Sequence, residues 1–128
     1  MKKLSVLLFA SVLLTACQES MEERCAREAR EYTQQKCPAF INKVTRIDSL
    51  TFDVATHTIS YCYSFIGAAD VPGSVKEEEA RLLLLNEVKN STNLKAYRDE
   101  GYNIRYVYHS ESRPGEVMYD VTFTKKDY

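Results

Sequence analysis

Short segments in which every second residue is apolar constrain the fold of this 128-residue chain more than any other feature. Ile59-x-Tyr61-x-Tyr63-x-Phe65 and Val117-x-Tyr119-x-Val121-x-Phe123 match at a constant offset of 58 residues, and residues 45–54 and 102–108 alternate in the same way. A period of two is typical of a strand with one buried face. Either a repeated supersecondary unit or the shared demands of one-faced strands explains the match.

The connections between these segments predict two antiparallel hairpins. A short turn around Ala55-Thr56 joins strand 45–54 to strand 57–66, and Arg113-Pro114-Gly115 provides the turn before the last strand. Short loops between alternating segments are typical of antiparallel neighbours.

One helix is predicted before each hairpin. The first covers residues 21–36, where apolar residues recur at three- and four-residue spacing, and Pro38 ends it. The second follows a linker at 67–73, begins at the capping-box pattern Ser74-x-x-Glu77, and runs to about residue 90. Its apolar stripe is widened by three leucines, namely Leu82, Leu83 and Leu85.

Together these elements predict a two-layer α+β sandwich with the order α-β-β-α-β-β. Four strands form an antiparallel sheet, and both helices bury their apolar stripes against one face of it. The nine tyrosines and five phenylalanines, with no tryptophan, agree with a sheet-rich core.

The N-terminus has the form of a leader peptide. Lys2 and Lys3 precede an apolar run of eleven residues at 4–14, which is shorter than the roughly 20 residues that span a bilayer. The following Leu14-Thr15-Ala16-Cys17 resembles the lipobox of bacterial lipoproteins. The resemblance implies cleavage of signal peptide 1–16, lipidation of Cys17 (palmitate among its acyl chains), and a single membrane-anchored domain at 17–128. The alternative is an ordinary secretory leader in which Cys17 is a chance thiol.

The residues after Cys17 and the charge of the chain bear on its address. Asp does not directly follow Cys17, so the lipobox resemblance favours the outer over the inner membrane in a two-membrane bacterium. The acidic residues at 19–23 are either a surface-export signal or the solvated first turn of a helix.

Two of the 17 basic residues lie in the leader, so the mature chain has 15 basic and 18 acidic residues, a net charge of −3. This charge argues against a nucleic-acid partner.

A second resemblance covers about residues 37–66 and 94–124. The stretch Cys37-Pro38, then Thr45-Arg46-Ile47-Asp48, then Tyr61-Cys62-Tyr63 resembles an uncharacterised type of small exported bacterial protein that reads Leu-Pro, Thr-Arg-Leu-Asp and Tyr-x-Tyr. This chain departs from it in having Cys-Pro for Leu-Pro and no cysteine near its C-terminus. The resemblance implies an α+β fold and no activity.

Catalysis, metal binding and cofactor binding are not indicated by the sequence. The two histidines, His57 and His109, are scattered, and they share no zinc spacing with the cysteines. Ser60 and Ser64 have no placed base to activate them. We therefore expect a protein that is not an enzyme and has no cofactor.

Three cysteines remain besides Cys17. In an oxidising envelope two of them can pair. Twelve residues of helix, at a rise of about 1.5 Å each, would separate Cys25 from Cys37 by about 18 Å, which is too far for a disulfide. Cys62 is out of phase with Tyr61 and Tyr63 and so faces away from the helices, which disfavours Cys25–Cys62 and makes Cys37–Cys62 the favoured disulfide. Free buried thiols are the alternative.

The sheet face that points away from the helices is the predicted binding surface. Its candidate contact residues are Arg105, Val107, Met118 and Asp120. The sequence thus predicts a lipid-anchored envelope protein that binds a protein, another envelope partner or a second copy of itself through this face. A purely structural or self-associating lipoprotein, with that face merely solvated, is the alternative.

Overall fold

The computed structural model describes residues 18–128. The predicted signal peptide and the lipidation site at Cys17 lie outside these residues. Within 18–128, no helix combines the length and apolarity that crossing a membrane requires.

Three helices and five strands make up the described part of the chain. In chain order they are α1 (Met21–Lys36), β1 (Ala39–Asn42), β2 (Thr45–Asp53), β3 (Thr58–Phe65), α2 (Glu77–Asn90), α3 (Lys95–Asp99), β4 (Asn103–Ser110) and β5 (Val117–Phe123). The strands form one sheet in the order β1-β2-β3-β4-β5.

The predicted α+β layout is confirmed, but the prediction of four antiparallel strands and two helices is wrong in three respects. First, β3 and β4 pair in parallel, because α2 carries the chain from the end of β3 back to the end of the sheet where β3 began. Second, a fifth strand, the edge strand β1, pairs with β2 from Ala39 opposite Ile47. Third, α3 is an additional helix. The four residues of β1 are too few to show an alternating pattern.

Helix α1 covers the predicted residues, whereas the start of α2 differs from the prediction. Ser20 and Glu23 form a capping box at α1, in which Ser20 Oγ accepts from the Glu23 backbone N–H at 3.1 Å. The capping box predicted at Ser74 and Glu77 does not form. Instead α2 begins at Glu77 after Lys76, and Ser74 Oγ donates to the Ala69 carbonyl at 3.0 Å.

The core lies between the helices and one face of the sheet. Ile59, Ile104 and Phe123 from the sheet are fully buried, together with Val88 of α2. α1 packs mainly along β2, and α2 lies over β5. The two helices therefore cover the same face of the sheet over different strands, and a cleft remains between them above β3 and β4.

The cysteines of the described chain are free thiols at Cys25, Cys37 and Cys62. The favoured Cys37–Cys62 pairing stays a prediction for the oxidised protein.

Candidate binding cleft

The predicted binding residues on the outer sheet face are brought together by β4 and β5. Arg105 Nε donates to Asp120 Oδ1 at 2.9 Å, and its Nη2 donates to Asp120 Oδ2 at 2.6 Å. These bonds from Arg105 lower the pKa of Asp120 below its ordinary value. Val107 beneath them is only 3% exposed, and Met118 is half-buried. Arg105 and Asp120 therefore satisfy each other, and the role of this face in binding stays a prediction.

A different surface, the cleft between α1 and α2, combines exposed apolar groups with free polar groups. Its base is a row of aromatic side chains on the two central strands, which we call the aromatic floor: Tyr61, Tyr63, Phe65, Tyr106 and Tyr108. The parallel register places Tyr61 beside Tyr106 and Tyr63 beside Tyr108. Their ring centroids are 5.3 Å and 4.8 Å apart, and each pair is stacked.

The end of the cleft near β1 is apolar. A cavity of about 350 Å³ lies there between Ile41, Leu83 and the aromatic floor. Leu83 is 73% exposed and Ile41 is 56% exposed. Large apolar side chains grouped around an open cavity are typical of interaction sites.

The other end of the cleft is polar. A cavity of about 150 Å³ is lined there by Glu87 and Ser91 of the α2 end, by Asn93, and by the rings of Tyr61 and Tyr106. Tyr63 lines both cavities, so the two ends of the cleft adjoin at this ring of the floor.

The floor tyrosines keep their hydroxyl groups available. Among residues 18–128, the tyrosine hydroxyls that donate hydrogen bonds are those of Tyr102, Tyr119 and Tyr128. No buried side-chain polar atom among residues 18–128 lacks a partner, so each unbonded floor hydroxyl keeps some contact with solvent, even that of Tyr106, which is only 3% exposed as a whole residue. Burial raises the pKa of Tyr108 to about 12 and raises the pKa of the other floor tyrosines. The floor therefore offers neutral hydroxyls that both donate and accept.

Sequence reasoning missed this cleft. It assigned Leu82 and Leu83 to the buried stripe of α2, but Leu82 is 66% exposed and Leu83 more so. One signal was present: the run Leu82 to Leu85 places apolar residues on more of the helix circumference than a single face can bury. Ile41 gave no signal, because it lies in the four-residue strand β1.

Residues 18–128 contain no group of three or more His, Cys, Asp or Glu side chains that could hold a metal ion. His57 occupies a turn with a positive φ of 55°, and its Nε2 lies 3.9 Å from Glu22 Oε1. His109 is on the outer face of β4, beside Ser64 of β3.

Comparison with known proteins gives one family and several similar folds. A family model described as Domain of unknown function (DUF8479) matches residues 20–119, and none of the curated proteins matches the chain. A protein of Pseudomonas aeruginosa described as secreted has a TM-score of 0.65 at 11% identity, over 86% of this chain and 98% of its own. The Vibrio vulnificus pilotin EpsS, from a type II secretion system, has a TM-score of 0.64 at 11% identity, over 83% and 89%. The type II secretion pilotin AspS of Vibrio cholerae has a TM-score of 0.60 at 15% identity, over 84% and 91%. At these identities the likeness shows a shared fold.

Proposed function

The chain belongs to the family described as Domain of unknown function (DUF8479), and we propose that it is a binding protein of the bacterial cell envelope. In this proposal it holds a segment of a partner protein in the cleft between α1 and α2. The observation that carries the proposal is the exposure of Leu83 and Ile41 beside the aromatic floor. Burying these side chains would contribute about 25 cal/mol for each Å² of apolar surface removed from water.

The chemistry of the cleft favours a protein segment over a hydrocarbon chain. An acyl chain would cover the floor hydroxyls without bonding to them, and an unmade hydrogen bond to a buried polar group costs about 1–3 kcal/mol. A protein segment brings both apolar side chains and polar groups. Tyrosine suits such contacts, because its ring supplies a large apolar area and its hydroxyl a hydrogen bond.

The similar folds support this class of function. Two of them are pilotins of type II secretion systems. We propose a pilotin-like accessory role for this chain, in which it binds and assists another envelope protein rather than catalysing a reaction. The predicted lipid anchor at Cys17 is part of the proposal and gives the domain a bacterial membrane address, with the outer membrane favoured.

The cleft also suits binding better than the outer sheet face. On that face Arg105 and Asp120 bond to each other, so a partner would have to separate them or leave them as they are. Exposed ion pairs of this kind contribute about 0–1 kcal/mol. The cleft presents apolar and polar groups that have no such competing partner.

Photo-crosslinking in the producing cells tests the proposal. A photoreactive amino acid replaces either Leu83 or Leu82, which are exposed neighbours on the same helix, but only Leu83 lines the cleft. We expect a discrete protein adduct at position 83, identified by mass spectrometry as an envelope protein, and none at position 82. The adduct at 83 should disappear when Ile41→Asp is introduced across the cleft.

Equal adducts at both positions, or an adduct that Ile41→Asp leaves unchanged, would contradict the proposal. Circular dichroism and thermal unfolding of each variant serve as the folding control. The exposed positions should change stability by less than about 0.5 kcal/mol.

A further inference from the structure

Glu87 is an unpaired carboxylate at the polar end of the cleft. It lies in α2, one helical turn after Leu83, and lines the smaller cavity together with Tyr61 and Tyr106. Each ion pair among residues 18–128 uses a carboxylate other than that of Glu87. No Lys or Arg lines this cavity. Glu87 therefore has no cation of its own in the described chain.

The groups around Glu87 are rich in hydrogen-bond acceptors. An ionised carboxylate only accepts hydrogen bonds, and the hydroxyls of Tyr61 and Tyr106 and the amide oxygen of Asn93 also accept. Burial is the main cause that raises the pKa of Tyr61 and of Tyr106, and the negative charge of Glu87 is a smaller cause for both. Glu87 lines the same cavity as both rings. The cavity of about 150 Å³ thus gathers one negative charge and several neutral groups that can accept hydrogen bonds, and no cationic side chain lines it.

We propose that this end of the cleft is a subsite for an arginine side chain of the partner segment, held by Glu87 with Tyr61, Tyr106 and Asn93. This inference rests on the proposed function, because the arginine belongs to the protein segment bound in the cleft.

A guanidinium fits the subsite better than an ammonium. It carries five N–H donors in a plane, which suits several acceptors placed side by side, and it is more weakly hydrated than a lysine ammonium. Its bond to a carboxylate is charge-assisted and has two parallel contacts when the geometry allows. The subsite has one carboxylate and three neutral groups that can accept hydrogen bonds, which suits this donor set.

The spacing of the two ends of the cleft constrains the partner. Leu83 and Glu87 are separated by four residues of α2, which corresponds to about 6 Å along the helix axis. A partner segment that fills both ends must therefore present an apolar side chain and an arginine about 6 Å apart. Residues three or four apart on a helix meet this requirement, as do residues two apart on a strand.

Binding of a small arginine probe to the full-length chain in detergent tests the subsite. The probe is arginine amide with its α-amino group acetylated, and the equally acetylated citrulline amide is its neutral control of nearly the same shape. We expect arginine amide to shift the backbone NMR signals of Glu87, Ser91 and Asn93, and citrulline amide to leave them unchanged. Glu87→Gln should weaken arginine amide binding about tenfold, because a hydrogen bond to a charged group is replaced by a neutral one. Glu78→Gln, an exposed change in the first turn of α2, should not weaken it.

Equal binding of the two probes, or binding that Glu87→Gln leaves intact, would overturn the subsite. The two proposals can fail separately. Loss of probe selectivity with the crosslink at position 83 intact would overturn the arginine subsite alone. Loss of the crosslink with selectivity intact would overturn the proposed function.

Discussion

The carboxylate of Asp70 joins the linker after β3 to the loop between β4 and β5. Its Oδ1 accepts from Ser110 Oγ at 2.5 Å and from Arg113 Nη2 at 3.2 Å, and its Oδ2 accepts from the Ser112 backbone N–H at 2.8 Å. The side chain is only 3% exposed. These bonds, that from Ser110 first, hold the pKa of Asp70 well below its ordinary value of 3.8.

This depressed pKa predicts a pH-dependent stability. Because the folded state binds the Asp70 proton less tightly than the unfolded state, the contribution is complete above about pH 5 and is lost as the pH falls below about 4. We expect Asp70→Asn to lower the unfolding temperature at pH 7 and to flatten its decline between about pH 4 and pH 2. Thermal unfolding followed by circular dichroism measures both effects. Parallel pH profiles for the two proteins would show that Asp70 does not carry this dependence.

At the scale of elements, two serines lie near the starts of the long helices, but only one of them caps its helix. Ser20 caps α1 and exchanges bonds with Glu23, whereas Ser74 bonds only to the linker carbonyl of Ala69. We therefore expect Ser20→Ala to reduce the free energy of unfolding by about 1 kcal/mol. Ser74→Ala should reduce it by less than about 0.5 kcal/mol. Urea unfolding of the full-length variants in a mild detergent measures the difference, and the reverse order would contradict the assignment of the caps.

The same elements show how far the sequence predicts the fold. Alternation found β2, β3, β4 and β5 because a half-buried strand repeats with a period of two. It could not reveal that β3 and β4 are parallel, because that depends on the path of α2 over the sheet rather than on either strand. Nor could it reveal the exposure of Leu83. A leucine on a helix is equally compatible with a core and with a binding surface, and only the distance between α1 and α2 decides between them.

At the scale of the whole molecule, the start of the described chain and the apolar end of the cleft lie at opposite ends of the sheet. Glu22, in the first turn of α1, accepts a bond from the Tyr102 hydroxyl at 2.9 Å, close to the turn that precedes β3. Phe65, at the far end of β3, borders the cavity of the apolar end. Seven residue steps of about 3.3 Å place these two ends about 23 Å apart. An anchor at Cys17, only three residues before Ser20, would hold the first end at the bilayer and point the apolar end away from it.

This geometry predicts a defined orientation on a membrane. In liposomes carrying the lipidated protein, a fluorescent amino acid at position 18 should be quenched by nitroxide lipids several times more strongly than the same residue at position 83. The reason is that nitroxide quenching acts over short distances, and the chain between Cys17 and Ser20 can span no more than about 10 Å. A water-soluble quencher should reach position 83 freely and serves as the control for exposure. Equal quenching by the lipids at both positions would mean that the cleft rests on the bilayer, where a partner protein could not enter it.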